Sequence, residues 1–509
     1  MTIEIIGGAV KKTAQTAERS PWMEVCARYA RCNSLSPSAV AALSAFGGGP
    51  PGFAVDFDTL YRESVAQVAG LGERIIATLS GPVDQAQAEL FARRFTSVDA
   101  LLGGLEAPEA AILRVGLVRR MGEILASTHP AALRVRALVD FYYSQAALLH
   151  HAAPGLPTLT QLAKTMTWRR VAAGVHHGCI AGRTNQGPLF ANVLRVRGGR
   201  IAALDCRGKG SLPEILARAG GVAAVSGGFF LYSEPDIAPP SRRTDPVGLL
   251  VSGGVVRYPP IFRRSALTWS EQGVEIQEIG MAGVCLEQAD VALTILAAND
   301  PAQLASGAVS FSRAWGLNSP EAAQSIAVVG GQITAVSVGS LPIPLAGAVI
   351  ALPHTLPLSV GPVTWRLPSP VHEAMAGGPR LLRGGVPEID LVSQDFAGSA
   401  PPVTFSQDET FDQNLLPRMA AGLCADGTLM LVAIDGRNFD RALGTTLSQT
   451  AQLCQALGCV EAMNLDGGSS KRMIIGTQAV DLSSTEVVSA PGAPARVRPV
   501  HSGLLVFSA

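Results

Sequence analysis

Apolar residues recur at two different spacings along this chain, and the change between them falls near residue 152. From about residue 35 to 152 the spacing is helical. Leu60, Val65, Val68, Leu71, Ile75, Ile76 and Leu79 repeat every three or four positions behind Asp56 and Asp58, which can cap the segment. Pro82, Pro108 and Pro130 stand where a first helical turn tolerates a missing N–H. The glycine- and proline-rich residues 47–52 read as a loop ahead of them. Amphipathic segments of this length predict a small helical bundle over residues 1–153.

His151-Ala152-Ala153-Pro154-Gly155-Leu156-Pro157 interrupts that pattern and marks a domain boundary. Beyond it come short β-rich runs between glycines, at residues 189–197, 221–226, 247–256, 328–338, 429–434 and 503–507. One helix-like stretch, residues 446–457, is interposed. Strands with few inserted helices do not make a regular βαβ series. The expected class is α+β: an amino-terminal helical bundle, then a mixed β-sheet domain over residues 160–509.

Composition narrows the functional classes. A chain of 509 residues exceeds one ordinary core, and 48% hydrophobic with 16% charged residues fits globular domains. Lys plus Arg and Asp plus Glu are both 40, so no global field recruits nucleic acid; there is no long basic patch, and Arg242-Arg243 and Arg263-Arg264 are no more than doublets. The eight cysteines show no CxxC pair and no zinc spacing, and apolar surroundings predict buried free thiols at Cys424 and Cys454. An acid precedes the first lysines, Lys11 and Lys12, the wrong order for a signal peptide, so a cytoplasmic protein is expected. The longest charge-free stretch, residues 333–365, carries five prolines and cannot be one regular transmembrane helix.

Three clusters could carry chemistry. Asn464-Leu465-Asp466-Gly467-Gly468-Ser469-Ser470 would deliver an amide and a carboxylate to one rim, because alternate strand residues face the same side. Gly467 and Gly468 then allow close backbone approach, and Ser469 and Ser470 add hydroxyls and amides for an anion. Alone, the segment reads equally well as a hairpin turn. Asp435-Gly436-Arg437 ends the apolar run 429–434, where Arg437 offers a planar fork and Asp435 a partner; a surface salt bridge explains the pair as well. Ser226-Gly227-Gly228-Phe229-Phe230 combines close-approach glycines with an aromatic wall suited to a sugar, or forms a bulge over a core.

Taken in order, these clusters resemble the signature of the phosphodiester glycosidase (uncovering-enzyme) family. Ser226 to Phe230 and then Asp245-Pro246-Val247-Gly248 resemble its opening motif, and Val328-Val329-Gly330-Gly331 its glycine-turn hairpin. Ala376-Gly377-Gly378-Pro379-Arg380, Leu416-Pro417-Arg418, Asp435-Gly436-Arg437, Asn464 to Ser470 and Arg498-Pro499-Val500 follow in register, from about Trp168 onward. Three positions depart from the family pattern: Ser226 replaces an asparagine, Met419 a threonine and Ser469 a third glycine.

The resemblance implies a hydrolase that cleaves a glycosidic or sugar-1-phosphodiester bond. It implies Asp466 as the key carboxylate, Asp435 as a second, and Arg418 and Arg437 as catalytic partners. Ser226, Gly227, Gly228, Phe229, Arg380, Asn464, Gly467, Gly468, Ser470 and Arg498 would bind substrate. The implied partner is a carbohydrate, a glycosyl phosphate or a glycan, with no nucleic acid. No cofactor is required; paired carboxylates suit a hard cation, but no dense ligand run accompanies Asp435 and Asp466. Two other readings stay open: a glycan- or envelope-binding relative without activity, and a scaffold working through the helical part.

Overall fold

The computed structural model describes residues 2–6, 9–13, 155–184, 187–231, 245–396, 415–436, 442–482 and 500–509. The expected helical bundle lies outside the described residues, as do Arg437 and Arg498. Among the described residues the α+β expectation is corrected, because the structure is mostly β. Three helices, α1 (Leu159–Ala163), α2 (Leu212–Ala219) and α3 (Leu447–Ala456), interrupt a long series of strands. The physical reason is the spacing of turn residues: apolar runs of four to ten residues between glycines favour strands and are too short for packed helices.

The sheet that matters for the site has eight antiparallel strands. Their spatial order is Val386–Pro387, Arg380–Arg383, Cys459–Leu465, Arg418–Cys424, Leu429–Ile434, Gly187–Val196, Val175–Thr184 and Trp168–Ala172. Every residue of Leu429–Ile434 is buried, which is why that run is continuously apolar rather than alternating. One face, with Ala420, Val432, Ile434 and Ala462, packs on α1 and α3. The opposite face, with Met419, Ala421, Leu431, Ala433, Met463 and Leu465, packs on two five-stranded sheets.

Local sequence sets α3 in place. The Thr446 hydroxyl accepts from the Gln449 N–H, and the Gln449 side chain accepts from the Thr446 N–H, a reciprocal cap that starts the helix. Leu447, Ala451, Leu453 and Cys454 form its buried side. Loss of one such leucine from the core costs about 2–5 kcal/mol.

Two further sheets frame the site. In one, Ser502–Val506 lies between Ile201–Asp205 and Ala223–Ser226, with Met473–Ile475 and Gln478–Ala479 beyond. In the other, Glu373–Ala376 sits centrally, between Arg264–Ser270 and Leu250–Ser252. A second eight-stranded sheet has Gly361–Pro362 at one edge and Thr364–Arg366 at the other. Those edges are separated by Val363 alone, so this sheet curls back on itself around Ile326, Val328, Ile350 and Trp365.

Candidate active site

Five sequence segments meet at one end of the site sheet. Strand Cys459–Leu465 ends there, and its partner Arg418–Cys424 begins there, with Met419 opposite Leu465. Arg418 in turn pairs with Ile434, which brings Asp435 to the same end. The Asp466 N–H donates to the Gly227 carbonyl (3.0 Å), tying the acidic turn to the first glycine cluster. The Gly378 N–H donates to the Asn464 carbonyl (2.7 Å), and the Asn464 N–H to the Pro379 carbonyl (2.9 Å). The Gly468 N–H donates to the Pro417 carbonyl (2.8 Å).

Glycine is needed where these backbones touch. A Cβ at Gly228 would lie 2.1 Å from the Ala376 carbonyl oxygen, and one at Gly377 would lie 2.5 Å from that of Asn464. Both obstacles are backbone, so neither can swing aside. Gly228 and Gly377 are thus close-packing positions between backbones.

Asn464 is fully buried; its amide Nδ2 donates to the Gly378 carbonyl (3.1 Å), while its Oδ1 has no hydrogen-bond partner among the described residues. Asp466 is 5% exposed and Ser470 is buried. The amides of Ser470 and Lys471 both donate to the Gly467 carbonyl, at 3.0 and 3.1 Å. With the Gly468 amide on Pro417, three amides of the turn have backbone acceptors. Arg418 is fully buried, and its Nε donates to the Thr445 carbonyl (3.0 Å).

Asp435 faces a charge cluster that the sequence reading missed. Lys471 Nζ donates to Asp435 Oδ1 (2.6 Å), Asp481 Oδ2 (2.7 Å) and the Leu482 carbonyl (3.1 Å), and all three charged side chains are fully buried. Asp435 Oδ1 also accepts from the Leu482 N–H (3.0 Å). Arg472 Nη1 reaches Asp481 Oδ2 at 3.2 Å, and the Met473 N–H donates to Asp481 Oδ1 (2.7 Å). Burial pushes the Asp435 carboxyl above its ordinary range, against the pull of Lys471, while Asp481 adds to the rise. The available signal was Lys471-Arg472 standing directly between the acidic turn and the apolar strand Met473–Ile475.

Other candidates sit differently. The Ser226 hydroxyl accepts from the Arg472 N–H (3.1 Å), and its own N–H donates to the Arg472 carbonyl (3.0 Å). Phe229 is 2% exposed and packs edge-on against Phe396, with the Arg264 guanidinium 5.9 Å from its ring. Phe230 packs edge-on against His501. Arg380 pairs with Glu461 and donates to the Ile276 carbonyl (2.6 Å). Met419 lies in the apolar cluster on the face opposite Arg418, which accounts for an apolar residue at that position. Among the described residues no group of three or more His, Cys, Asp or Glu side chains is arranged to hold a metal, and no helix is long and apolar enough to cross a membrane.

A stretch of 59 residues is 39% identical to the SPbeta prophage-derived uncharacterized protein YomE of Bacillus subtilis, which is 12% of this chain and 9% of that protein. A hypothetical protein from Synechocystis of solved structure aligns at 22% identity and a TM-score of 0.42, covering 66% of this chain and 62% of its own. The catalytic domain of zebrafish N-acetylglucosamine-1-phosphodiester alpha-N-acetylglucosaminidase, solved in a form auto-inhibited by its pro-peptide, aligns at 12% identity and a TM-score of 0.39, covering 68% and 88%. The chain thus spans under a tenth of the curated relative. Residues 343–507, the stretch that holds Arg380, Arg418, Asp435, Asn464 and Asp466, match the phosphodiester glycosidase family.

Proposed function

We propose that this chain is a hydrolase that breaks the bond between the anomeric carbon of a sugar and a phosphodiester or other good leaving group. The observation that supports this best is the closure of five separated segments around Asn464, Asp466 and Arg418, four of them within the stretch that matches the family. Water adds at the anomeric carbon, the bond from that carbon to the leaving-group oxygen breaks, and a free sugar and a phosphomonoester leave. Asp466 is the carboxylate that faces the anomeric carbon, as nucleophile or base. A phosphate monoester departs readily, so guanidinium neutralisation by Arg418, Arg437 and Arg498 replaces much of the need for a general acid. The unpartnered Asn464 Oδ1 accepts from a sugar hydroxyl or amide. Asp435, bound to Lys471, holds the turn rather than reacting.

The test is a panel of sugar-1-(methyl phosphodiesters) of glucose, galactose and N-acetylglucosamine, with release of reducing sugar as the readout. Turnover of one member supports the reading. Binding without release across the panel overturns it in favour of a glycan-binding relative.

A further inference from the structure

The charge cluster beneath the acidic turn has a composition that deepens the reading above and rests on it. Lys471 and Arg472 bring two positive charges, and Asp435 and Asp481 bring two negative ones, so the set closes to neutrality. All three N–H groups of the Lys471 ammonium have acceptors: two carboxylates and the Leu482 carbonyl. Its two carboxylate partners come from different places, one from the end of strand Leu429–Ile434 and the other from the residues after Met473–Ile475. Such a socket specifies one position for the side chain that fills it, because a buried ammonium displaced from its acceptors is left desolvated with nothing to offset it.

That side chain belongs to the residue that closes the turn. The Lys471 N–H bonds the Gly467 carbonyl, and Gly467 directly follows Asp466. On the upstream side the Asp466 N–H is fixed to Gly227, and on the downstream side Arg472 exchanges two hydrogen bonds with Ser226. We propose that Lys471 is a positioning residue for Asp466, and that Asp435 and Asp481 form the socket that holds it. The ammonium pins the downstream limb of the turn as the sheet pins the upstream one. The carboxylate of Asp466 is thereby set by charges that do not touch substrate.

Lys471→Met removes the ammonium at similar length, and Lys471→Met with Asp435→Asn removes one charge of each sign. The first readout is amide hydrogen exchange, which needs no substrate. In Lys471→Met the amides of Gly468, Ser470 and Lys471's successor Arg472 should exchange at least about tenfold faster, while those of Leu429–Ile434 keep their protection. Unchanged protection at the turn overturns the proposal. The second readout is turnover of the sugar-1-(methyl phosphodiester) panel. In the double variant, neutrality should return the melting temperature toward wild type, yet kcat should stay about a hundredfold low at unchanged KM, the scale expected from a misplacement near 1 Å. Recovery of kcat in step with melting temperature shows a merely structural lysine and overturns it. If Lys471→Met does not fold, the double variant alone carries both readouts. A wild-type chain inactive on the whole panel sinks the glycosidase reading, and the exchange readout still decides whether Lys471 pins the turn.

Discussion

The backbone N–H of Asp466 lies 3.0 Å from the carbonyl oxygen of Gly227, and this bond joins the acidic turn to the residue that follows strand Ala223–Ser226. Because the bond uses only backbone atoms, it survives any change to the Asp466 side chain. Asp466→Asn should therefore melt within a few degrees of wild type and lose at least about a hundredfold in turnover on the phosphodiester panel. An active Asp466→Asn would remove Asp466 from the mechanism.

Gly228→Ala should destabilise the fold by about 1–3 kcal/mol, because the added methyl meets the Ala376 carbonyl at 2.1 Å. Gly316→Ala, which has nothing within 4 Å and an ordinary φ, should be neutral or slightly stabilising. Urea unfolding of both variants makes the comparison. Equal midpoints would mean that the strands can part without cost.

His177 is half-buried, with Nε2 at 2.9 Å from Asn192 Oδ1. Burial is the main influence and holds its pKa below 6.5; the bond to Asn192 opposes this, and the Arg169 charge reinforces it. A base with a lowered folded pKa binds protons less readily folded than unfolded. The stability it contributes is fully present above 6.5 and lost as pH falls through the folded value. His177→Gln does not titrate, so the stability of wild type relative to it should decline from about pH 7.5 to about pH 5. A constant difference across that range would contradict the assignment.

Thiol labelling should separate two cysteines. Cys206 is buried, and burial chiefly pushes its thiol up to about 12, whereas Cys179 is exposed. Iodoacetamide at neutral pH should modify Cys179 in the native protein and Cys206 only after unfolding. Mass spectrometry of labelled peptides reads the result, and rapid native labelling of Cys206 would show that its site opens.

Much of the β-rich region was legible in the sequence, for reasons that differ by element. Residues 429–434 read as a core strand because an unbroken apolar run fits no amphipathic pattern, and the strand spans those same residues. Helix α3 announced itself through Thr446 and Gln449, a cap written in four residues. Runs 247–256 and 328–338 each resolve into two strands, because Gly253-Gly254 and Gly330-Gly331 form the turns. The fold class was misjudged where helical spacing over about 35–152 was weighed into the whole, while the described residues are mostly β.

At the site the order of motifs carried more than any motif alone. Asp435 read as a partner of Arg437 because they are neighbours in sequence; Arg437 lies outside the described residues, and the Asp435 Oδ1 serves Lys471 and Leu482. No spacing rule reveals such a pairing, since Asp435, Lys471 and Asp481 lie on three separate segments. Phe229 read as a sugar wall from its neighbouring glycines; it lies beyond the end of strand Ala223–Ser226 and is buried beside Phe396.

The central place of Ser502–Val506 has a consequence for biosynthesis. That strand fills the gap between Ile201–Asp205 and Ala223–Ser226, and the Ser502 carbonyl accepts from the Gly227 N–H. On a ribosome, the first strands of this sheet emerge hundreds of residues before the strand that joins them. Ile201–Asp205 must wait without its neighbour in this sheet, and Ala223–Ser226 with one edge open, until it appears. Folding of the acidic turn's support is therefore a late event in synthesis, and nascent chains stalled before residue 500 should be the ones that a chaperone holds.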